Sequence, residues 1–392
     1  MSKITGKKMN IKQLSYLKVI LLSCILLISL LAGCVKQEQK SGDVEEKTPE
    51  IQLDQPSILP NWVDGEYHDY HGTLQILNDF NDKFPDLVNV FSIGESVLER
   101  DILCIRITNE KNNSDKYSCL IDGCIHGNEW EAGEACLYLA DFLLINFDNN
   151  ETVKNILNIS EIYIVPLFNP DGRQVDERWN HNGIDLNRNF DVHFGRLISN
   201  NFPLGKLFGI IKIPTVRHPL RNTVSTNCGR YPFSEPETRA SRNLMKSLDR
   251  YSFYVNCHTA VHIFAAQGDI TYKPEFTVTN HEREITNTVM DWVNDNTEYS
   301  GIHGEDFKHN GIGSASDWVY SEFGIASFIF ELLNSDYEPW YGHGRHECLV
   351  HWMKTTIPIF MYLLVNIENL HDWKTPDVQP PLPEDVPPPP IK

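Results

Sequence analysis

The sequence predicts an α/β domain with a mostly parallel or mixed central sheet, and two observations predict it. Short runs dense in Ile, Val, Phe and Tyr recur along the chain, and longer stretches with helical apolar spacing lie between them. That alternation is what a sheet covered by helices requires, since such strands are hidden on both faces and each helix hides one. With 392 residues, 41% of them hydrophobic, the chain is long enough to bury a large core.

The first element is an export segment. Residues 1–33 hold five lysines and no acid, and Val19 to Ala32 is an uncharged apolar run of 14 residues. That is short of the roughly 20 residues a membrane-spanning helix needs, so the segment reads as a signal peptide. Its end, Leu31-Ala32-Gly33-Cys34, resembles the lipobox of prokaryotic lipoproteins. This implies lipidation of Cys34 and a membrane anchor that holds the body outside the cytoplasm, the alternative being an uncleaved anchor or an ordinary signal. Residues 34–60, rich in Gln, Glu, Lys and Pro, read as a flexible tether. At the far end, residues 373–392 include Pro387 to Pro390 and read as an extended proline-rich tail. The folded body is therefore a domain over 61–372. The whole chain sets 34 basic against 53 acidic side chains, a formal charge of −19, which argues against nucleic acid or an anionic lipid surface as the main partner.

Within that domain, Tyr117 to Cys124, Glu161 to Phe168, Tyr251 to Cys257 and Ile325 to Leu332 are predicted as buried strands. Helices are predicted over Glu129 to Phe147, Ser234 to Leu248 and Glu282 to Asn294. The second opens with Ser234-Glu235-Pro236-Glu237, which reads as a capping box with proline in the first turn.

Chemistry in such folds collects beyond strand ends. The first strand runs into His126-Gly127-Asn128-Glu129, with the glutamate opening the next helix. His-x-x-Glu alone is a weak signal, and His281 with Glu284 repeats it in a polar stretch that follows no strand and reads as solvated. Only the first match sits at a strand end, where an imidazole and a carboxylate one turn later can converge. A third ligand is available from His258, immediately after Tyr251 to Cys257. Two imidazoles and a carboxylate with an open fourth position form a catalytic zinc set. Glu331 stands out independently, because a carboxylate in Phe328-Ile329-Phe330-Glu331-Leu332-Leu333 must be paired or do chemistry.

These stretches, together with Asn169-Pro170-Asp171-Gly172, Asp185-Leu186-Asn187-Arg188-Asn189-Phe190, Pro232-Phe233-Ser234-Glu235-Pro236-Glu237, Ser314-Ala315-Ser316-Asp317-Trp318 and Phe330-Glu331-Leu332, occur in one order. From Tyr67 to near Leu370 the sequence resembles the zinc carboxypeptidases of the carboxypeptidase A type, the M14 metallopeptidase family. The resemblance implies an eight-stranded mixed, mostly parallel sheet flanked by helices, and one Zn2+ per chain held by His126, Glu129 and His258. It further implies Asp185 as the carboxylate behind the first histidine, Glu331 as general base toward zinc-activated water, and Arg178 as the group that stabilises the oxyanion. Arg178 is preferred over Arg173 by its Arg-x-Asn context. Asn187 and Arg188 are implied as the grip on the substrate's terminal carboxylate, so the substrate would be a peptide or protein C-terminus.

Two positions depart from the family pattern. His309 stands where a tyrosine that closes over substrate is usual, with Tyr299 too far upstream to replace it, and Ser316 stands deep in the pocket for the terminal side chain, where it supplies no charge. The segment Val192 to Tyr231 is longer than expected and is a candidate part of the cleft wall. Beyond Cys24 and Cys34 seven cysteines remain, an odd number, and no disulfide framework is inferred. Two alternatives stay open: the same scaffold acting on cell-wall peptides or another amide, and a lipid-anchored binding protein without catalysis.

Overall fold

The computed structural model describes residues 67–194, 227–259, 263–266, 279–302, 313–332, 346–376 and 378. The export segment with Cys34, the tether, His309, residues 195–226 and nearly all of the proline-rich tail lie outside the described residues. Among those described, no helix is long and apolar enough to cross a membrane.

The chain forms α1 (Tyr70–Lys83), β1 (Val88–Glu95), β2 (Asp101–Ile107), β3 (Tyr117–Asp122), α2 (Trp130–Asn146), α3 (Glu151–Ile159), β4 (Ser160–Val165) and the short α4 (Pro170–Gln174). It continues through α5 (Pro236–Ser247), β5 (Tyr251–Thr259), β6 (Ile263–Ala266), α6 (Asn280–Asn296), β7 (Ser300–Ile302), α7 (Ala315–Phe323), β8 (Ala326–Leu332), α8 (His346–Val365) and α9 (Ile367–His371). The strands make one eight-stranded sheet in the order β1-β2-β4-β3-β5-β8-β6-β7. Its centre, β4-β3-β5-β8, is parallel, while β1 and β2 pair antiparallel at one side and β6 pairs antiparallel with β8 at the other. The predicted mixed α/β sheet is thus the observed one.

Alternation along the central strands sorts the side chains. Cys119, Ile121, Phe253, Val255, Cys257, Phe328 and Phe330 join one apolar cluster with residues of α1, α2, α3, α6, α8 and α9. Leu120 and Tyr254 point the other way, into a second cluster with α5 and α7. The same face that carries Leu120 and Tyr254 carries Asp122, Asn256 and His258 by the two-residue period. Strand β3 connects onward to β4 on one side, whereas β5 leads toward β6 and β8 on the other. The carboxyl ends of β3 and β5 therefore border the switch in strand order where α/β sheets place their sites.

The predicted elements begin and end within three residues of their expected bounds, and two of the differences have a local cause. Strand β3 ends at Asp122 rather than Cys124, because Cys124 takes a left-handed φ of 54° that breaks the extended run. The expected capping box at Ser234 does not form: the N-cap of α5 is Glu235, with no side-chain cap bond, and Pro236 follows it. Ser234 Oγ instead donates to Glu235 Oε1 at 2.7 Å, and Glu237 is occupied by Asn180 Nδ2 at 3.1 Å and Val97 N–H at 3.2 Å. A true capping box sits at Thr279 and Glu282, at the start of α6.

Candidate metal centre

His126 lies four residues beyond the end of β3, on a loop that folds tightly because Gly127 has no side chain. A Cβ there would sit 2.1 Å from the carbonyl carbon of Gly172, so the loop rests directly on the Asn-Pro-Asp-Gly turn. That turn is itself braced: Asn169 Oδ1 accepts from Gly172 N–H at 2.9 Å, and Asp171 accepts from Ser96 Oγ and Leu98 N–H, both at 2.9 Å, and from Arg100 at 2.5 Å. Glu129 is the N-cap of α2, so its carboxylate projects from the helix entry. His258 is the penultimate residue of β5.

These three converge. His126 Nδ1 is 2.7 Å from Glu129 Oε1, His258 Nδ1 is 2.8 Å from Glu129 Oε2, and all three ligand atoms lie within 4.8 Å of one another. All three residues are buried. Asp185 Oδ1 is 3.2 Å from His126 Nε2, and since a carboxylate can only accept, that nitrogen carries the proton. His126 thus faces Glu129 through Nδ1, a contact that needs a cation between the two atoms, either a proton or a metal ion. Two imidazoles and one carboxylate are the donor set that zinc takes in catalytic sites, so the residues present fit the ion. It is the one group of this kind among the described residues.

The electrostatics are strongly interlocked. Burial by itself would raise the Glu129 carboxyl, but the two imidazoles and their hydrogen bonds outweigh it and hold the group well below the carboxylate range. Asp185 behaves likewise: burial opposes its ionisation, and Arg178, His126 and Arg188 overcome that. Arg178 Nε donates to Asp185 Oδ2 at 3.0 Å and its Nη1 reaches Glu129 Oε1 at 3.4 Å, leaving Nη2 with no partner among the described residues. Arg173, by contrast, lies 3.6 Å over the Trp130 ring and donates to the His68 carbonyl at 2.6 Å.

Arg188 belongs to a 3-10 turn, Leu186–Arg188, capped by Asp185. Its side chain is buried, and its described contact is a hydrogen bond from Nη1 to the Asn187 carbonyl at 2.6 Å. Burial presses its guanidinium below the ordinary value, Asp185 counteracts this, and no carboxylate forms an ion pair with it among the described residues. Gly313, at φ 62°, lies so close that a Cβ would be 2.1 Å from the Arg188 carbonyl oxygen, which fixes the turn against the entry to α7. Asn187 Oδ1 accepts from Ala315 N–H at 2.8 Å, which turns its amide nitrogen toward His258 Nε2 at 3.2 Å. Ser316, in the first turn of α7, is buried, with no hydrogen-bond partner for its Oγ among the described residues. Glu331, the penultimate residue of β8, is the register partner of His258, has no hydrogen bond among the described residues, and is raised by burial, against the pull of His258.

Other expected features fall where the sequence read them or outside the site. His281 is exposed on α6, its Nε2 meets the Trp373 carbonyl at 2.8 Å, and it belongs to no candidate metal group among the described residues. Tyr299 is a core residue against Phe330. Cys104, Cys119, Cys124, Cys136, Cys228 and Cys257 are buried thiols that form no disulfide among the described residues.

The sequence reading missed the braces. Asn180 Nδ2 donates to Glu235 at 2.9 Å and Glu237 at 3.1 Å, while its Oδ1 accepts from Asn182 and Ile184 N–H, which closes the loop that carries Arg178. Asp185 N–H donates to the Asn227 carbonyl at 2.9 Å, and Gly313 N–H to that of Val192 at 2.7 Å. Asp122 and Asn256, inside the strands, were also passed over, although a buried aspartate in an apolar run invites the same question as Glu331.

Comparison with known proteins agrees with this geometry. Bovine carboxypeptidase O is 24% identical over 300 residues, covering 71% of this chain and 73% of that protein. Bovine carboxypeptidase B2 is 23% identical over 306 residues, covering 72% and 67%. Among solved structures, carboxypeptidase A from Helicoverpa armigera superposes with a TM-score of 0.60 at 18% identity, covering 82% of this chain and 77% of that one. Bovine thrombin-activatable fibrinolysis inhibitor, solved with tick carboxypeptidase inhibitor, gives 0.58 at 20% identity, covering 79% and 99%. Residues 73–342, most of the chain, match the zinc carboxypeptidase family, and a buried two-histidine, one-glutamate cluster at the switch of a mixed sheet is what such hydrolases need: this protein is a member of that family, a metallocarboxypeptidase with one zinc ion per chain.

Proposed function

We propose that this enzyme removes the C-terminal residue from peptides, outside the cytoplasm, while tethered to the membrane through lipidated Cys34. The observation that carries the substrate reading is Arg188, a buried guanidinium with no carboxylate of its own among the described residues, sited where Asp185, Arg178 and Glu129 all act on its charge. A buried cation held without an anion is poised for one that arrives with the substrate, and the planar fork suits a carboxylate.

Bound by His126, Glu129 and His258, zinc supplies a Lewis acid that lowers the pKa of water to about 7. The chain's own groups then divide the work. Arg188, with the Asn187 amide beside it, holds the terminal carboxylate, which places the last peptide bond at the cluster. Glu331, a carboxylate with no competing hydrogen bond among the described residues and a raised proton affinity, takes the proton from the attacking water and returns it to the leaving amine. Arg178 Nη2 faces the developing oxyanion, a role in which loss of one donor costs roughly 3 to 4 kcal/mol in the transition state. Ser316 brings no charge to the pocket for the terminal side chain, which permits neutral and aromatic residues there without selecting among them.

The reading is tested with N-blocked dipeptides carrying a free or an amidated C-terminus. Chelator-sensitive release from the free acid alone supports it. Equal turnover of the amidated substrates would remove Arg188 from the role assigned to it.

A further inference from the structure

One nitrogen of the zinc cluster is contested. His258 Nε2, on the side of the ring away from Glu129, meets two amides of opposite polarity. Asn187 turns its NH2 group toward it at 3.2 Å, an orientation fixed by the Ala315 N–H bond to Asn187 Oδ1. Asn256 turns its oxygen, Oδ1, toward the same nitrogen. If Asn187 prevailed, Nε2 would offer a lone pair and the ring proton would move to Nδ1, where it would point at Glu129 and occupy the place of the metal. If Asn256 prevails, Nε2 carries the proton and Nδ1 is free to ligate.

What decides is the other end of the Asn256 amide. Its NH2 group donates to Asp122 Oδ1 at 2.6 Å, while Asp122 Oδ2 accepts from the Tyr254 hydroxyl at 2.7 Å. All three side chains are fully buried on the site face of β3 and β5. An ionised carboxylate has no hydrogen to give, so Asn256 can meet it only with NH2, and the amide's oxygen is then committed to His258. We propose that Asp122 is a positioning residue which, through Asn256, sets the tautomer of His258 and so prepares the second imidazole to bind zinc. On the other histidine Asp185 does this by direct contact, whereas here the carboxylate acts at one remove, through an amide whose polarity it dictates. A buried aspartate that meets only neutral groups is otherwise unexplained, because burial disfavours its charge and pushes its carboxyl up to about 7.

The inference rests on zinc at the cluster and not on the substrate reading, and neither of its readouts needs turnover. In metal-free wild-type protein at pH 8, labelled at the imidazole nitrogens, the 15N signals of His258 should report a proton on Nε2. Asp122→Asn gives Asn256 an NH2 neighbour, frees the amide to reverse, and should move proton occupancy to Nδ1. By chelator competition it should weaken zinc binding about 10- to 100-fold, the range for loss of a group that orients a ligand. Tyr254→Phe removes the other bond of the same carboxylate without releasing Asn256, and should keep zinc affinity within about twofold. Wild-type affinity in Asp122→Asn, or a wild-type His258 protonated on Nδ1, overturns the proposal. The second of these measurements stands even if the substitution prevents folding.

Discussion

His258 and Glu331 stand opposite one another on adjacent parallel strands, β5 and β8. Register partners in a parallel pair present their side chains to the same face, and neighbouring strands lie about 4.8 Å apart. A ligand imidazole and a carboxylate without a hydrogen bond among the described residues are thereby held side by side by the sheet itself. Glu331→Gln preserves shape and removes the carboxylate proposed as the base. Zinc content and thermal unfolding should stay at wild-type level while kcat falls roughly 10²- to 10⁴-fold. Retained turnover in a zinc-loaded variant would show that another group carries the proton.

Arg188→Lys keeps the charge and removes the fork. Its buried guanidinium donates to the Asn187 carbonyl, so the shorter ammonium loses both that anchor and bidentate contact with a carboxylate. The expected result is a kcat/KM about 100-fold lower on substrates with a free C-terminus, equivalent to about 2.7 kcal/mol, and little change on the residual hydrolysis of amidated ones. A uniform loss on both substrate types would point to a folding defect.

Asp185 touches both His126 and Arg178. Asp185→Asn weakens the orientation of the first and the ion pair of the second, so zinc affinity should drop about 10- to 100-fold, and kcat should remain depressed even at saturating zinc. Equilibrium dialysis separates the two effects. Full recovery of kcat on adding zinc would confine Asp185 to the metal and leave Arg178 independent of it.

Stability should depend on pH through Glu237. Burial pushes its carboxyl up to about 7, against the hydrogen bonds from Asn180 and Val97. In this window the folded state binds a proton that the unfolded state, with an ordinary glutamate pKa near 4.3, has released. The contribution is therefore complete at low pH and is lost as pH rises toward about 7, at up to about 1.4 kcal/mol per pH unit. Asp122 acts in the same direction. Urea unfolding of Glu237→Gln between pH 5 and 7 should show a shallower decline than wild type, and parallel profiles would refute it. Glu129 and Asp185, held low, act with the opposite sign: their stabilisation is present above pH 4 to 5 and is lost on acidification below it.

Much of this was legible in the sequence because it depends on local pattern. The strands ending near His126, His258 and Glu331 are short apolar runs with a polar residue at or just past the end, and that break in pattern marks both strand and site. What escaped depends on contacts across the fold. Ser234 to Glu237 has the form of a capping box, yet the two glutamates serve Asn180 and Asn182, more than 50 residues earlier in the chain. The polarity of Asn256 follows from Asp122 on a neighbouring strand, and no periodicity records it. Strands β1 and β2 were missed although β2 sends Ile102 and Cys104 to one apolar cluster and Ile105 and Ile107 to the other, because Ser92, Gly94 and Arg106 break their apolar runs into short pieces.

Both ends of the stretch left between 194 and 227 are tied to the site by main-chain bonds: Val192 receives Gly313 N–H on one side, and Asn227 receives Asp185 N–H on the other. Asn227 Nδ2 also donates to the Gly183 carbonyl at 2.6 Å, and Asn189 Nδ2 to that of Cys228 at 2.7 Å. The stitching is complete before the intervening residues are counted. Such a junction works as a clasp: the turns that carry Asp185 and Arg188 are held from both sides by bonds made among the described residues alone.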